Sequence, residues 1–327
     1  MTHETGGISR RSVTLLGLAA GIGAALPLRA ADWPTRAVTM VVPYGPGASN
    51  DTFTRSIAEI LSKSLGQPFV VDNRPGAGGF TGSSSVANGE ADGYTFLEAP
   101  NAIVSYRKLM KVDRDPLDNL RPVALIARAP TAMVVPADLP VNSVQEFIEY
   151  AKAHPDDTFY GCAGLGTTQQ QHAEMFNTNA GLKLKPVIYK SSADAQTDLM
   201  AGRLQVMMVT VASTLGQIES GQLKLLAYTD SNFPAAAPKA PTMAEVGVPH
   251  MENAQIFWAV FAPKAVGDDV VMMMNSAIND ALKQPEFVEL AAKSGATPAG
   301  GTPEDLQKTL DAENKQIDDF LALGIMK

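Results

Sequence analysis

One stretch, VTMVVPYGPGASNDTFTRSIAEILSKSLG from Val38 to Gly66, constrains the fold of this chain more than any other. Val38 to Val42 is an unbroken apolar run that reads as a buried strand. At PYGPGASN the prolines and glycines forbid regular structure. From Asp51 the apolar residues Phe53, Ile57, Ile60 and Leu61 fall at helical spacing; Ser49, Asn50 or Asp51 can cap that helix, and Gly66 stops it. Strand, loop and helix together aim free backbone N–H groups and the positive end of a helix dipole at one spot. That spot suits an anion, a carboxylate as well as a phosphate. No Gly-Lys-Ser/Thr follows, so the loop is not a P-loop. Two readings stay open here. Either this is a carboxylate-binding loop, touched by Tyr44, Gly45, Ser49, Asn50 and Asp51, or it is an ordinary strand-to-helix turn in which Asp51 is a cap.

The next segments extend the pattern. QPFVVD reads as a second strand and DGYTFL as a third, which makes a βαβ beginning and a parallel sheet. Between them, Gly76, Gly78, Gly79 and Gly82 lack the G-x-G-x-x-G spacing of a dinucleotide site. The third strand ends at Glu98-Ala-Pro-Asn101, which places Asn101 at the strand end. VALIAR and TAMVVP are broken at Ala129-Pro130, where the chain can cross to a second lobe. In VNSVQEFIEYAKAH, Ser143 and Glu146 form a capping box. FYGCAGLGTTQQQHAEMF then repeats the opening design, with Gly166, Thr167 and Thr168 at the start of its helix. Two lobes, each offering a helix N-terminus, can clamp a carboxylate between them. Ser191, Ser192 and Ala193 begin a further helix beside that site. LKLLAYT can carry the chain back, IFWAVFAP reads as a buried strand, and two amphipathic helices close the chain.

Composition limits the function classes. The 327 residues are 45% hydrophobic, enough for a large core in two lobes, and the net charge of -8 disfavours a nucleic-acid or anionic-membrane surface. A local anion site remains compatible with that charge, since screening acts beyond about 8 Å. The single cysteine, Cys162, excludes an internal disulfide and reads as a small core residue. Residues 1–31 read as a secretory signal: Arg10-Arg11, an apolar run from Val13 to Leu26, and small residues near Ala30 and Ala31, where cleavage is expected. The twin arginine hints at the route for folded cargo, and a retained anchor is the other reading. The four histidines show no metal spacing, and no G-x-S-x-G elbow or evident acid/base pair appears. No cofactor, metal or catalytic residue is expected.

Several strings together resemble one family, the Bug-type extracytoplasmic receptors of tripartite tricarboxylate transporters. They are WPTRAVTMVVPYGPGASND, VVDNRPGAGGFTG, DGYTFL, the helix after VNSVQEFI, GLGTT, VIYKSSADAQTDLMAGRLQ, LKLLAYT, PTMAEVG and GTPEDL, in the family's order. The resemblance implies an α/β fold of the type II periplasmic binding protein kind. Two lobes, each with a mainly parallel sheet flanked by helices, would be joined by two crossing strands. Lobe 1 would hold residues 32–129 and 230–327, and lobe 2 residues 130–229. It implies a monomeric periplasmic receptor that takes a small carboxylate in the cleft and delivers it to membrane permease subunits. The chain departs from the family's pattern at Ala48 and Ser191, where glycine is usual, at Gln170, where histidine is usual, and at Glu98, where the usual residue is apolar or small.

Glu98 carries two readings: it faces the cleft and meets an amine on the ligand, or it faces away and pairs with an Arg or Lys. His172 and Trp258 read as packing residues. A sensory receptor docking on a membrane kinase shares every feature of a transport receptor, and an enzyme on the same fold is the third possibility.

Overall fold

The computed structural model describes residues 1–3, 33–231, 233, 237–251 and 254–322. The expected signal segment, with Arg10-Arg11 and the cleavage near Ala30 or Ala31, falls outside the described residues.

The first lobe is laid down as β1 (Val38–Val42), α1 (Ser49–Leu65), β2 (Phe69–Asn73), α2 (Phe80–Ala87), β3 (Thr95–Pro100), the short α3 (Tyr106–Leu109) and the long β4 (Leu120–Pro130). The second lobe follows as β5 (Ala132–Pro136), α4 (Val144–Ala153), β6 (Phe159–Cys162), α5 (Thr168–Asn179), β7 (Lys185–Ile188), α6 (Ser192–Met200), β8 (Met207–Val209), α7 (Leu215–Glu219) and β9 (Leu223–Tyr228). The chain then returns through β10 (Gln255–Pro263), α8 (Asp268–Ala281), α9 (Pro285–Lys293), β11 (Thr297–Pro298) and α10 (Pro303–Ala322).

The expected parallel βαβ start is present: β1 pairs in parallel with β2 on one side and β3 on the other. The sheets as wholes are mixed rather than mainly parallel, and the crossings explain why. β4 leaves the first lobe while β10 re-enters it, so the two lie side by side in opposite directions in the order β11-β4-β10-β3-β1-β2. In the second lobe β5 and β9 are antiparallel for the same reason, while β6 and β7 stay parallel.

The helix periodicity of α1 buries Phe53, Ile57 and Leu61 against Trp258, Val271, Met274 and Phe287 on one face of the first sheet. Phe53 meets Trp258 edge-on at 4.8 Å, which places Trp258 in the core. The other face packs Leu97, Phe257 and Phe261 against Leu306 and Leu310 of α10. Truncating Phe53 to alanine in this setting costs about 3–5 kcal/mol. The second lobe has its own core around Phe147, Tyr160, Cys162 and Phe176. Met243, Val248, Met251 and Ala254 join that core, so it draws on residues beyond the 130–229 expected for it. Its α4 is opened by the expected capping box: Glu146 N donates to Ser143 Oγ at 3.1 Å and Asn142 N to Glu146 Oε2 at 2.7 Å.

Where the two crossings pass each other, Thr229 N donates to Thr131 O and Thr131 N to Thr229 Oγ1, both at 2.9 Å. His172 of α5 closes this node through Nδ1 and Thr131 Oγ1 at 2.9 Å. Burial drives the His172 pKa down to about 3, so the ring is neutral. The packing role expected of His172 thus falls on the joint between the lobes.

Candidate functional site

The α1 start is built without a side chain on its N-cap. Ala48 occupies the cap, and Ser49, Asn50 and Asp51 form the first turn, which corrects the expectation that one of those three would be the cap. Asp51 acts from inside the turn instead: its carboxylate accepts Gly47 N at 2.9 Å and Asn73 Nδ2 at 2.9 Å, and pairs with Arg55. These hydrogen bonds, with Arg55 foremost, outweigh burial and hold its pKa below the usual carboxylate range. Asp51 is therefore consumed within its own lobe. The backbone N–H groups of Ser49, Asn50 and Asp51 have no protein partner among the described residues, and they point where the helix dipole is positive.

Around this turn, Tyr44 donates its hydroxyl to Gly78 O at 3.0 Å, and Tyr106 reaches the same oxygen at 3.3 Å. Gly79 permits this convergence: a Cβ there would lie 2.6 Å from the Tyr106 hydroxyl and 2.9 Å from that of Tyr44. Gly45 has nothing within 4 Å of where a Cβ would sit, so it lines open space.

Glu98 is fully buried on the face of β3 beneath α1. It meets no Lys or Arg among the described residues, which corrects the expectation of a basic partner. Its partner is Asn50, whose Nδ2 donates to Oε1 at 2.9 Å and to Oε2 at 3.1 Å. Burial pushes the Glu98 pKa up to about 8 against the lowering effect of Asn50, with the Asp51 charge adding to the rise. Glu98 is a neutral acid at pH 7.

On the second lobe, Thr167 caps α5 and its hydroxyl donates to Gly164 O at 3.0 Å. Gly166 N is taken by Gln170 Oε1 at 2.7 Å. The Gly166 N–H and the Thr167 hydroxyl are thus not free donors, contrary to the expectation for those two groups, while the Thr167 backbone N–H has no protein partner among the described residues. Gln170 is what occupies the loop N–H. The backbone N–H groups of Thr168 and Gln169 remain without a protein partner among the described residues. Ser191 caps α6 by accepting Asp194 N at 3.1 Å, and Ser192 Oγ accepts Gln169 Nε2 at 3.0 Å, tying α6 to the start of α5. Ala193 is exposed.

The two loops meet. A Cβ on Gly78 would stand 3.1 Å from Leu165 O, and one on Gly164 3.6 Å from Gly78 Cα. Among the described residues, side-chain bonds join the two loops' surroundings: Ser105 Oγ donates to Gly166 O at 2.9 Å, and Thr168 Oγ1 to Asn101 Oδ1 at 2.8 Å. Asn101 also donates to Gln255 O at 3.1 Å and Glu313 Oε1 at 2.7 Å, so it is a buried junction rather than a group left free for a ligand. Glu313, Ser105 and Tyr106 were not singled out in the sequence; their partners Asn101, Gly166 and Gly78 lie far off in the chain, and no local spacing marks them. Among the described residues no cluster of His, Cys, Asp or Glu could hold a metal ion.

A family model described as "Tripartite tricarboxylate transporter family receptor" matches residues 53–321. The protein BugT of Bordetella pertussis is 35% identical over 286 residues, 86% of this chain and 87% of that one. Among solved structures, the R. palustris protein Rpa4515 with adipate is 36% identical at a TM-score of 0.82, covering 88% of this chain and 97% of that one. The periplasmic binding protein BugD is 30% identical at a TM-score of 0.82, covering 90% and 100%.

Proposed function

Because the chain belongs to the family of tripartite tricarboxylate transporter receptors, which are substrate-binding receptors and not enzymes, we propose that it captures a small carboxylate between its lobes and hands it to the permease subunits of such a transporter. The compartment is the periplasm, reached through the segment 1–31. The ligand class is that of di- and tricarboxylates, aromatic carboxylates or amino acids, and the adipate held by one relative is in keeping with it.

One observation carries this reading. The starts of α1 and α5 come from different lobes, each with backbone N–H groups that no acceptor among the described residues satisfies, and the loop before α5 touches Gly78, whose carbonyl takes the Tyr44 hydroxyl from the loop before α1. Such groups attract a carboxylate without a buried countercharge. Ser49, Asn50 and the Thr168 turn hold the ligand through N–H donors, Tyr44 and Gly45 shape the first-lobe side, and Ser192 steadies the second.

Thermal unfolding of the mature chain against a carboxylate panel tests the proposal. A ligand at about 100 times its Kd adds roughly 2.7 kcal/mol of stability. A shift with the compound recovered unchanged, followed by ligand uptake into vesicles carrying the permease only when the receptor is added, is the expected result. Chemical turnover of the compound would overturn it.

A further inference from the structure

Away from the loops where the lobes meet, the first lobe holds an arginine without an acid partner in a cavity of its own. The cavity, about 360 Å³ and open to solvent, lies between β4, β11 and α10. Leu125, Pro298 and Ala299 give it an apolar side, and Arg128, Thr309 and Asp305 a polar one. Arg128 Nη2 donates to Thr309 Oγ1 at 2.8 Å, which keeps the guanidinium end beside the residues that line the cavity. Its other N–H groups have no hydrogen-bond partner among the described residues, and no carboxylate there forms an ion pair with it. Burial disfavours the Arg128 charge, and Glu313, one turn further along α10 than Thr309, offsets that only in part. Burial also pushes the Glu313 pKa up to about 7, so its own charge is partial at neutral pH. The rest of the lining is already spent. Ala299 N, Gly300 N and Gly301 N go to Ile126 O, Leu125 O and Asn279 Oδ1 at 3.0, 3.1 and 2.9 Å. The Asp305 carboxylate serves the start of α10, accepting Thr302 N at 3.2 Å and pairing with Lys308 at 3.2 Å.

We propose that this cavity is a second anion site, separate from the cleft, and that it takes a small monocarboxylate with a compact apolar body. The carboxylate supplies the countercharge that Arg128 lacks, through the paired N–H groups of a guanidinium fork. Leu125, Pro298 and Ala299 receive the apolar part, as in small-ligand pockets, where a few polar groups fix the orientation and apolar side chains make up the wall. The volume is sufficient, since such pockets begin at about 300 Å³. A second carboxylate on the ligand would fall on the apolar side or toward the charge of Asp305, so dicarboxylates are disfavoured. The cleft makes the opposite demand, with N–H donors from two helix starts. The lining residues all belong to the first lobe, so the site does not depend on the lobes meeting, and it stands apart from the receptor reading.

Magnetic resonance of the isotope-labelled mature chain, titrated with benzoate, reads this site by itself. The reporter is the Arg128 Nε–Hε signal, assigned by its loss in Arg128→Lys. The expected result is a saturating shift with a Kd of about 1 mM or tighter. Benzyl alcohol, which keeps the ring and lacks the charge, and chloride at the same ionic strength should leave the signal in place, and succinate should bind more weakly than benzoate. In Arg128→Gln, shown to fold by thermal unfolding, the shifts that benzoate causes at the Ala299 and Thr309 amides should need roughly tenfold more ligand. A signal that does not move or never saturates overturns the proposal, as does a shift that chloride or benzyl alcohol reproduces. So does unchanged affinity in folded Arg128→Gln, and tighter binding of succinate overturns the monocarboxylate preference. Binding in the cleft, or its failure, moves none of these readouts, so this proposal and the receptor reading stand or fall separately.

Discussion

Ser105→Ala isolates the energetics of lobe closure from the chemistry of the ligand. Ser105 is fully buried, and its hydroxyl serves Ala102 O at 2.7 Å in its own lobe and Gly166 O at 2.9 Å across the cleft. Gly166 O keeps a second donor, Gln171 Nε2 at 2.9 Å, so the substitution strands no acceptor on the second lobe. The loss therefore amounts to one interlobe hydrogen bond, about 0.5–1.5 kcal/mol. That lowers the closed-to-open ratio by roughly two- to twelvefold, since 1.4 kcal/mol is a factor of ten. A ligand that needs the closed state loses affinity in proportion to the competent fraction. Small-angle scattering of the unliganded chain should show a larger mean radius of gyration. Titration with a carboxylate should give a weaker apparent Kd, mostly through faster dissociation. An unchanged radius and an unchanged Kd in a folded Ser105→Ala protein would refute the claim that these contacts govern closure.

Thr168→Val removes the other interlobe hydroxyl and leaves Asn101 Oδ1 buried without a donor in the closed state, so a larger loss of about 1–3 kcal/mol in closure is expected by the same two measurements. Gly78→Ala sets a Cβ 3.1 Å from Leu165 O at a residue with φ of +62°; it should hinder closure and cost about 1–2 kcal/mol in stability, read from chemical denaturation and scattering. Glu98 binds its proton more tightly in the folded chain, where its pKa is about 8, than in the unfolded chain, where about 4.3 is usual. Between these values the folded state holds the extra proton, so stability falls as pH rises through the window and levels off above about 8; Tm recorded from pH 5 to 9 should decline less steeply in Glu98→Gln. His172 runs the opposite way: its folded pKa of about 3 lies below the usual 6.5, so its contribution is full above about 6.5 and is lost as pH falls toward 3. Substitution of His172 by Gln should therefore flatten the acid limb of the Tm profile.

Much of the scaffold is legible in short windows of sequence. The apolar run 38–42 is β1 to the residue, and Gly66 ends α1 in the left-handed conformation, with φ of 70°. Ser143 and Glu146 cap α4 as their spacing dictates. These features depend on neighbours within a few positions. The site is another matter. Whether Gly166 offers its N–H depends on the rotamer of Gln170, and whether Asn101 is free depends on Glu313, 212 residues away. Glu98 stands out in sequence because a buried strand rarely carries an acid, yet its partner is 48 residues earlier and neutral, not basic. The mixed sheets were hidden for a related reason: strand direction there is set by where the chain crosses between lobes, not by the strands' own residues.

The distribution of hydrogen bonds has a consequence for how such a receptor acquires its preference. The hydroxyls of Thr167 and Thr168, the Asp51 carboxylate and the Asn101 amide are all committed to caps or interlobe bonds. Exchanging any of them damages the scaffold or the closing motion before it changes the ligand. On the proposed reading the anion attraction comes from backbone N–H groups, which no substitution but proline removes and which treat all carboxylates alike. On that reading, selectivity then falls to side chains that border the cleft without carrying the fold.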